Sequence, residues 1–111
     1  MKTKVLADPD VIDYLYELVD ILYEKQYFSF EEDSVEYVVE LFEDIITNLP
    51  KKRRKPAPKH LKKYGENLEY AAFKKNKRTT WYTFFDIYKD NEEIVYLVRL
   101  IENNHTVAQY L

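Results

Sequence analysis

Apolar positions in the first part of the chain recur at helical spacing. Val11, Leu15, Leu18 and Leu22 fall on one face, and Asp10, Asp13, Glu17, Asp20 and Glu24 take the other. Asp8 stands ahead of them as a cap, and Pro9 occupies a first helical position, where its missing N–H costs nothing. The spacing predicts an amphipathic helix ending near Gln26. After a short connection, Tyr27–Phe30, a second stripe of Val35, Val38, Phe42, Ile45 and Leu49 runs to Pro50, which stops it. Asp33 with Glu36 reads as a capping box for this helix, with Ser29 and Glu32 as an earlier alternative. So short a connection predicts an antiparallel helix hairpin.

The period then changes. Lys51 to Lys63 has no apolar repeat before Leu61 and contains Pro56 and Pro58, so an exposed loop is expected, with a helical turn near His60–Tyr64 closed by Gly65 in a left-handed conformation. Leu68–Lys74, Thr79–Tyr88 and Ile94–Ile101 are short runs rich in aromatic and β-branched residues, separated by the turns Lys75–Lys77 and Lys89–Glu92. Two tight connections in succession predict an antiparallel meander. Lys2–Ala7 reads as a first strand or as a lead-in. The expected fold is α+β: a single domain, residues 1–111, with the helix hairpin packed on one face of a three- to four-stranded antiparallel sheet.

Alternation divides the central strand into Arg78, Thr80, Tyr82, Phe84, Asp86 and Tyr88 on one face and Thr79, Trp81, Thr83, Phe85 and Ile87 on the other. The second set is the more apolar and is expected to meet the helices. Arg78 and Tyr82 then share the open face. The last strand is apolar on both faces except at Tyr96 and Arg99. Arg99 is assigned to the face of Arg78, which requires a break in alternation if Tyr96 is the residue that lies open.

Charge sharpens this picture. The 111 residues carry a net charge of −3, with 17 Lys and Arg against 20 Asp and Glu. The helical half is strongly acidic, whereas Lys51–Arg78 holds most of the cations and only Glu66 and Glu69 as acids. A near-neutral total therefore conceals a dipolar molecule. The cations fall at Lys51, Lys52, Arg53, Arg54 and Lys55, at Lys59, Lys62 and Lys63, and at Lys74 and Lys77 around the following turn. With Tyr82 as a ring for stacking, they form a candidate nucleic-acid-binding set. Absent cysteine excludes disulfides and thiolate chemistry, one glycine excludes a glycine-rich nucleotide loop, and no metal-ligand spacing is present. No metal and no cofactor are expected. No signal segment or membrane span is read, and a cytoplasmic location is the expectation.

The order strand, helix, helix, basic loop, three-stranded meander resembles the RelE/ParE superfamily of small bacterial toxins. Asn67-Leu68-Glu69, Arg78 opening RTTWYTFF, and the closing run LVRLIENNH are similar to that family's short core signature. The resemblance implies the toxin of a type II toxin–antitoxin pair. Its partner would be a cognate antitoxin laid over the sheet and helices. The RelE branch cleaves messenger RNA on the ribosome without a metal, and the ParE branch blocks DNA gyrase. By resemblance Arg78 contacts the scissile phosphate, Arg99 supplies a second cation, His105 serves as acid or base, and Tyr110 matches a C-terminal aromatic.

RNA transesterification needs a base for the 2′-hydroxyl, cations for the charged transition state and an acid for the leaving oxygen. Glu69 is a further candidate for the base. Three readings follow: a metal-independent endoribonuclease acting on RNA, free or on the ribosome; a non-enzymatic gyrase inhibitor that docks through its helix hairpin; and a non-catalytic interaction module of the same fold.

Overall fold

The computed structural model describes residues 2–25 and 27–104. In chain order it contains β1 (Lys2–Ala7), α1 (Pro9–Glu24), α2 (Glu31–Asn48), a 3-10 turn at Leu49–Lys51, β2 (Lys55–Pro56), a 3-10 helix at Lys59–Tyr64, β3 (Glu69–Lys74), β4 (Thr80–Lys89) and β5 (Glu93–Asn103). The fold is α+β, with the helices on a single sheet of strand order β1-β5-β4-β3-β2. The sheet departs from the expected one in two ways: it has five strands rather than three or four, and it is mixed rather than antiparallel. β1 runs parallel to β5, from Lys2 beside Glu93 to Ala7 beside Val98, and the other pairs are antiparallel. The physical reason is alternation: each connection reverses the chain, which returns β5 in the direction of β1. The fifth strand, β2, is too short to show any periodicity. Pro56 sits at this sheet edge, where an absent N–H breaks no ladder.

Asp8 caps α1 as expected, its Oδ1 accepting from the Asp10 N–H at 3.1 Å. The cap of α2 differs from both sequence alternatives. Phe30 is the capping residue and supplies no side-chain bond; Glu31, Glu32 and Asp33 instead fill the first turn, where the positive end of the helix dipole favours them. The α2 stripe is largely as expected, with Val38, Ile45 and Leu49 buried and Phe42 packed against the core, but it is turned enough that Leu41 and Ser34 are fully buried while Val35 and Val39 face an outward groove.

Val11, Leu15 and Leu18 of α1, with Val38, Leu41 and Ile45 of α2, close over Phe73, Trp81, Phe85, Tyr96 and Val98 of the sheet. Trp81 donates its indole N–H to the Tyr37 hydroxyl at 2.9 Å, fixing the hairpin against β4. This is the main core, on the face that alternation assigned to it. The opposite face is not open. Leu61, Leu68 and Phe84 form a second, smaller cluster there, and Phe84 is fully buried. The basic segment is exposed along most of its length, with the helical turn at Lys59–Tyr64 as expected, but Leu61 pins that turn to the back of the sheet.

Gly65 closes that helix with a φ of 166°, which is extended and not left-handed. Close approach explains the glycine instead. A Cβ at this position would stand 2.8 Å and 2.9 Å from the two carboxylate oxygens of Asp86.

Candidate nucleic-acid interface

The back face carries the sequence-predicted site, and the register of β3, β4 and β5 fixes its layout. Ala72 lies beside Tyr82, and Tyr70 beside Phe84. The Tyr70 and Tyr82 rings meet edge to face, with centroids 6.0 Å apart. Lys52, Arg53 and Lys55 line the same surface depression as these two rings, a hollow of about 440 Å³. Half-buried rings flanked by cations form a platform on which bases can stack while phosphates meet charge. Tyr70 was missed from the sequence, although its signal was present: in LEYAAFK it alternates with the buried Ala71 and Phe73, and so falls in phase with Tyr82. Lys51, Lys59, Lys62, Lys74 and Lys77 are exposed on the segments around this platform. Arg54 is held at its edge, with Nε 3.0 Å from Glu69 Oε2. That ion pair occupies Glu69.

Arg78 is exposed in the turn between β3 and β4, and its backbone is secured from two sides. Its N–H donates to Asn76 Oδ1 at 2.9 Å, and its carbonyl accepts from Asn104 Nδ2 at 3.0 Å. Asn104 Oδ1 also accepts from the Thr80 N–H at 3.2 Å. The end of β5 is thereby clamped to the start of β4, and the backbone that carries Arg78 is held in place. His105 and Tyr110 lie outside the described residues.

Arg99 is not brought to Arg78. Phe84 lies opposite Leu100 and Phe85 opposite Val98, so Arg99 is the extra residue of a β-bulge. Burial resolves the ambiguous strand. Tyr96 and Val98 reach the main core, so plain alternation turns Arg99 to the back face with no break needed; the bulge instead leaves Leu100 on the back face and returns Ile101 to the core. Arg78 precedes β4, six positions from Phe84, which at the usual strand rise is at most roughly 20 Å.

Arg99 donates through Nε to Asp86 Oδ2 at 3.0 Å, through Nη1 to Asp8 Oδ2 at 3.3 Å and through Nη2 to Tyr88 Oη at 2.9 Å. The Tyr88 hydrogen bond is the largest influence raising the guanidinium pKa, and Asp86 adds to it. All three guanidinium nitrogens are engaged, and two carboxylates outweigh the one cation. The arrangement ties the α1 cap to β4 and β5.

A cleft of about 570 Å³ opens where β1 leaves the sheet at Ala7 and the edge of β5 meets α1. Tyr14, Lys63, Tyr64, Arg99 and Glu102 are among its walls. Burial raises the Tyr14 phenol pKa, with Glu102 and Glu17 adding to the effect. Burial also raises the Glu102 carboxyl pKa, against the opposing pull of His60 and Lys63. Sequence reasoning missed both residues; the mark of Glu102 was a lone acid directly after the apolar run of β5. Among the described residues, no three His, Cys, Asp or Glu side chains converge as a metal-ligand set, and no helix is long and apolar enough to cross a membrane.

Comparison of the chain with protein-family models, curated proteins and solved structures finds no match.

Proposed function

We propose that this protein is the toxin of a type II toxin–antitoxin pair and acts as a metal-independent endoribonuclease. Its substrate is single-stranded RNA, presented free or on the ribosome. The observation that carries the reading is the back-face platform: Tyr70 and Tyr82 with Lys52, Arg53 and Lys55, ending toward the anchored Arg78. Stacking and cations together give affinity for single-stranded RNA with little sequence choice. Arg78 contacts the scissile phosphate and stabilises its transition-state charge. His105 exchanges the proton with the leaving oxygen. Arg99, held by Asp8, Asp86 and Tyr88, acts by positioning β5 and not by touching phosphate. The resemblance of the β4 and β5 wording to RelE/ParE toxins supports the same reading.

The test combines growth with purified protein. Induction of the wild type without any antitoxin should arrest growth and deplete message, and Arg78→Ala with His105→Ala should relieve both by at least 100-fold in cleavage rate. An equally toxic double variant overturns the site.

A second reading has its own observation. The groove between α1 and α2, about 560 Å³, is apolar along Val19, Val35, Val39 and Phe42 and rimmed by Asp20, Glu31 and Glu43. Tyr16 on this side is 75% exposed. Such a surface suits protein docking, by the antitoxin or, in a non-enzymatic gyrase inhibitor, by gyrase. Inhibited supercoiling with intact message is the outcome that selects the inhibitor.

A further inference from the structure

We propose that Glu102 is the general base of the cleavage reaction, acting from the mouth of the cleft between α1 and β5 on RNA held at Tyr82. The inference rests on the endoribonuclease reading and assigns the one chemical role that reading leaves empty.

Three placements carry it. Glu102 lies directly opposite Tyr82 in the β4–β5 ladder, so the two side chains share the back face. A base stacked on Tyr82 thus brings its own ribose toward the Glu102 carboxylate. Glu102 is also two residues before Asn104, whose side chain grips the Arg78 carbonyl, so the strand that carries the base is clamped to the turn that carries the phosphate cation. Finally, among the described residues no strand pairs with the β1 side of β5 beyond Val98, where β1 turns into α1, and the cleft lies there beside Glu102. Glu69, the acid suggested by sequence, is held by Arg54 at 3.0 Å and sits opposite Phe85, farther along β4 from Arg78 than Tyr82 is.

The groups around Glu102 suit the role. From α1, Tyr14 faces it, with Asp8 and Asp10 on the same cleft wall. From the 3-10 helix come His60 and Lys63, from β4 Tyr82, and from its own strand Arg99. Burial makes the carboxylate more basic, while His60 and Lys63 pull the other way. A carboxylate so placed takes a proton more readily than a solvated one.

The step balances without a co-reactant. The Glu102 carboxylate removes the 2′-hydroxyl proton as O2′ forms its bond to phosphorus. The bond from phosphorus to O5′ breaks, and O5′ takes a proton from the histidine acid. The products are a 2′,3′-cyclic phosphate and a 5′-hydroxyl, and water returns both groups to their starting protonation.

The experiment measures cleavage and binding separately across pH on one single-stranded RNA, with full-length protein and, in parallel, with translating ribosomes. Binding is read on the same RNA carrying 2′-O-methyl groups. Glu102→Gln should cut the cleavage rate by about 100-fold or more and remove the acidic limb of the pH profile, with RNA affinity within about threefold of wild type. Glu102→Asp should retain that limb at lower rate, and Glu69→Gln, whatever it does to Arg54 and the rate, should leave the acidic limb in place. If Glu102→Gln cleaves with wild-type rate and profile, or if Glu69→Gln loses the acidic limb instead, Glu102 is not the base. Failure of the wild type to cleave RNA in either setting overturns the endoribonuclease reading itself, and this inference with it.

Discussion

The two faces of the sheet are built from the same strands and filled by opposite chemistry. The helix-covered face buries aromatic and aliphatic side chains from β3, β4 and β5 under six inward residues of the hairpin; Trp81 is bonded to Tyr37 there, while the buried hydroxyls of Ser34 and Thr83 have no hydrogen-bond partner among the described residues. The back face has a cluster of Leu61, Leu68 and Phe84, and the rest of it is charge, hydroxyls and half-buried rings. Apolar burial accumulates on the first face and stabilises the fold. Polar groups accumulate on the second, where each must be paired or left to solvent. Apolar burial is thus concentrated on one face of this fold, and the other is left polar.

The largest expected effect separates the faces by the same substitution in each. Leu41 is fully buried in the main core, and Leu61 lies in the small cluster. Leu41→Ala should destabilise by about 4 kcal/mol and Leu61→Ala by nearer 2 kcal/mol, since a cavity under a single short helix can collapse. Chemical denaturation gives both values. Equal costs would break the comparison and make the back cluster a second core.

The next effect concerns the polar brace on the back face. Asp86 is buried at 8% exposure and is neutralised by an Arg99 side chain that remains 29% exposed. Arg99→Met keeps most of the packing and strands the carboxylate, at an expected cost of about 2 kcal/mol after discounting for partial solvation. Gly65→Ala pushes a methyl group against the same carboxylate and should cost about 1–3 kcal/mol. Because both act through Asp86, the double variant should cost clearly less than the sum. Additive costs in a double-mutant cycle would show that Gly65 and Arg99 are independent.

The contrast between faces also explains what was legible in the sequence. Helical spacing and two-residue alternation report apolar burial, so α1, the core face of β4 and the meander were readable. The rotation of the α2 stripe was not, because Val35, Val38, Val39, Leu41 and Phe42 crowd both candidate faces and tertiary contact decides between them. The bulge at Arg99 was hidden because LVRLI is apolar in either phase. β2 and the docking of the basic segment rest on two residues and on Leu61, too little for any period to register. At the candidate site, charge and strand phase pointed to Lys52, Arg53, Lys55, Arg78 and Tyr82. Glu102, Tyr14 and Asn104 became visible only when the register set distant segments side by side.

The smallest effect is a shift of stability with pH, and it sharpens the difference between a stabilising face and a working one. Burial holds the Glu102 carboxyl pKa above its ordinary value of 4.5. A raised carboxyl favours the folded state while it is protonated. Its contribution is complete below the ordinary value and is lost as pH rises through the raised one. Glu102→Gln removes that loss. The variant should therefore match the wild type in melting temperature at pH 4 and exceed it by a degree or two at pH 7.5, an increment of the order expected for a fraction of a kcal/mol in a domain this size. A wild type more stable than the variant at pH 7.5 would mean that His60 and Lys63 outweigh burial, making Glu102 part of an ordinary surface ion pair. A more stable but inactive variant would instead mark Glu102 as a carboxylate kept for chemistry at the expense of the fold.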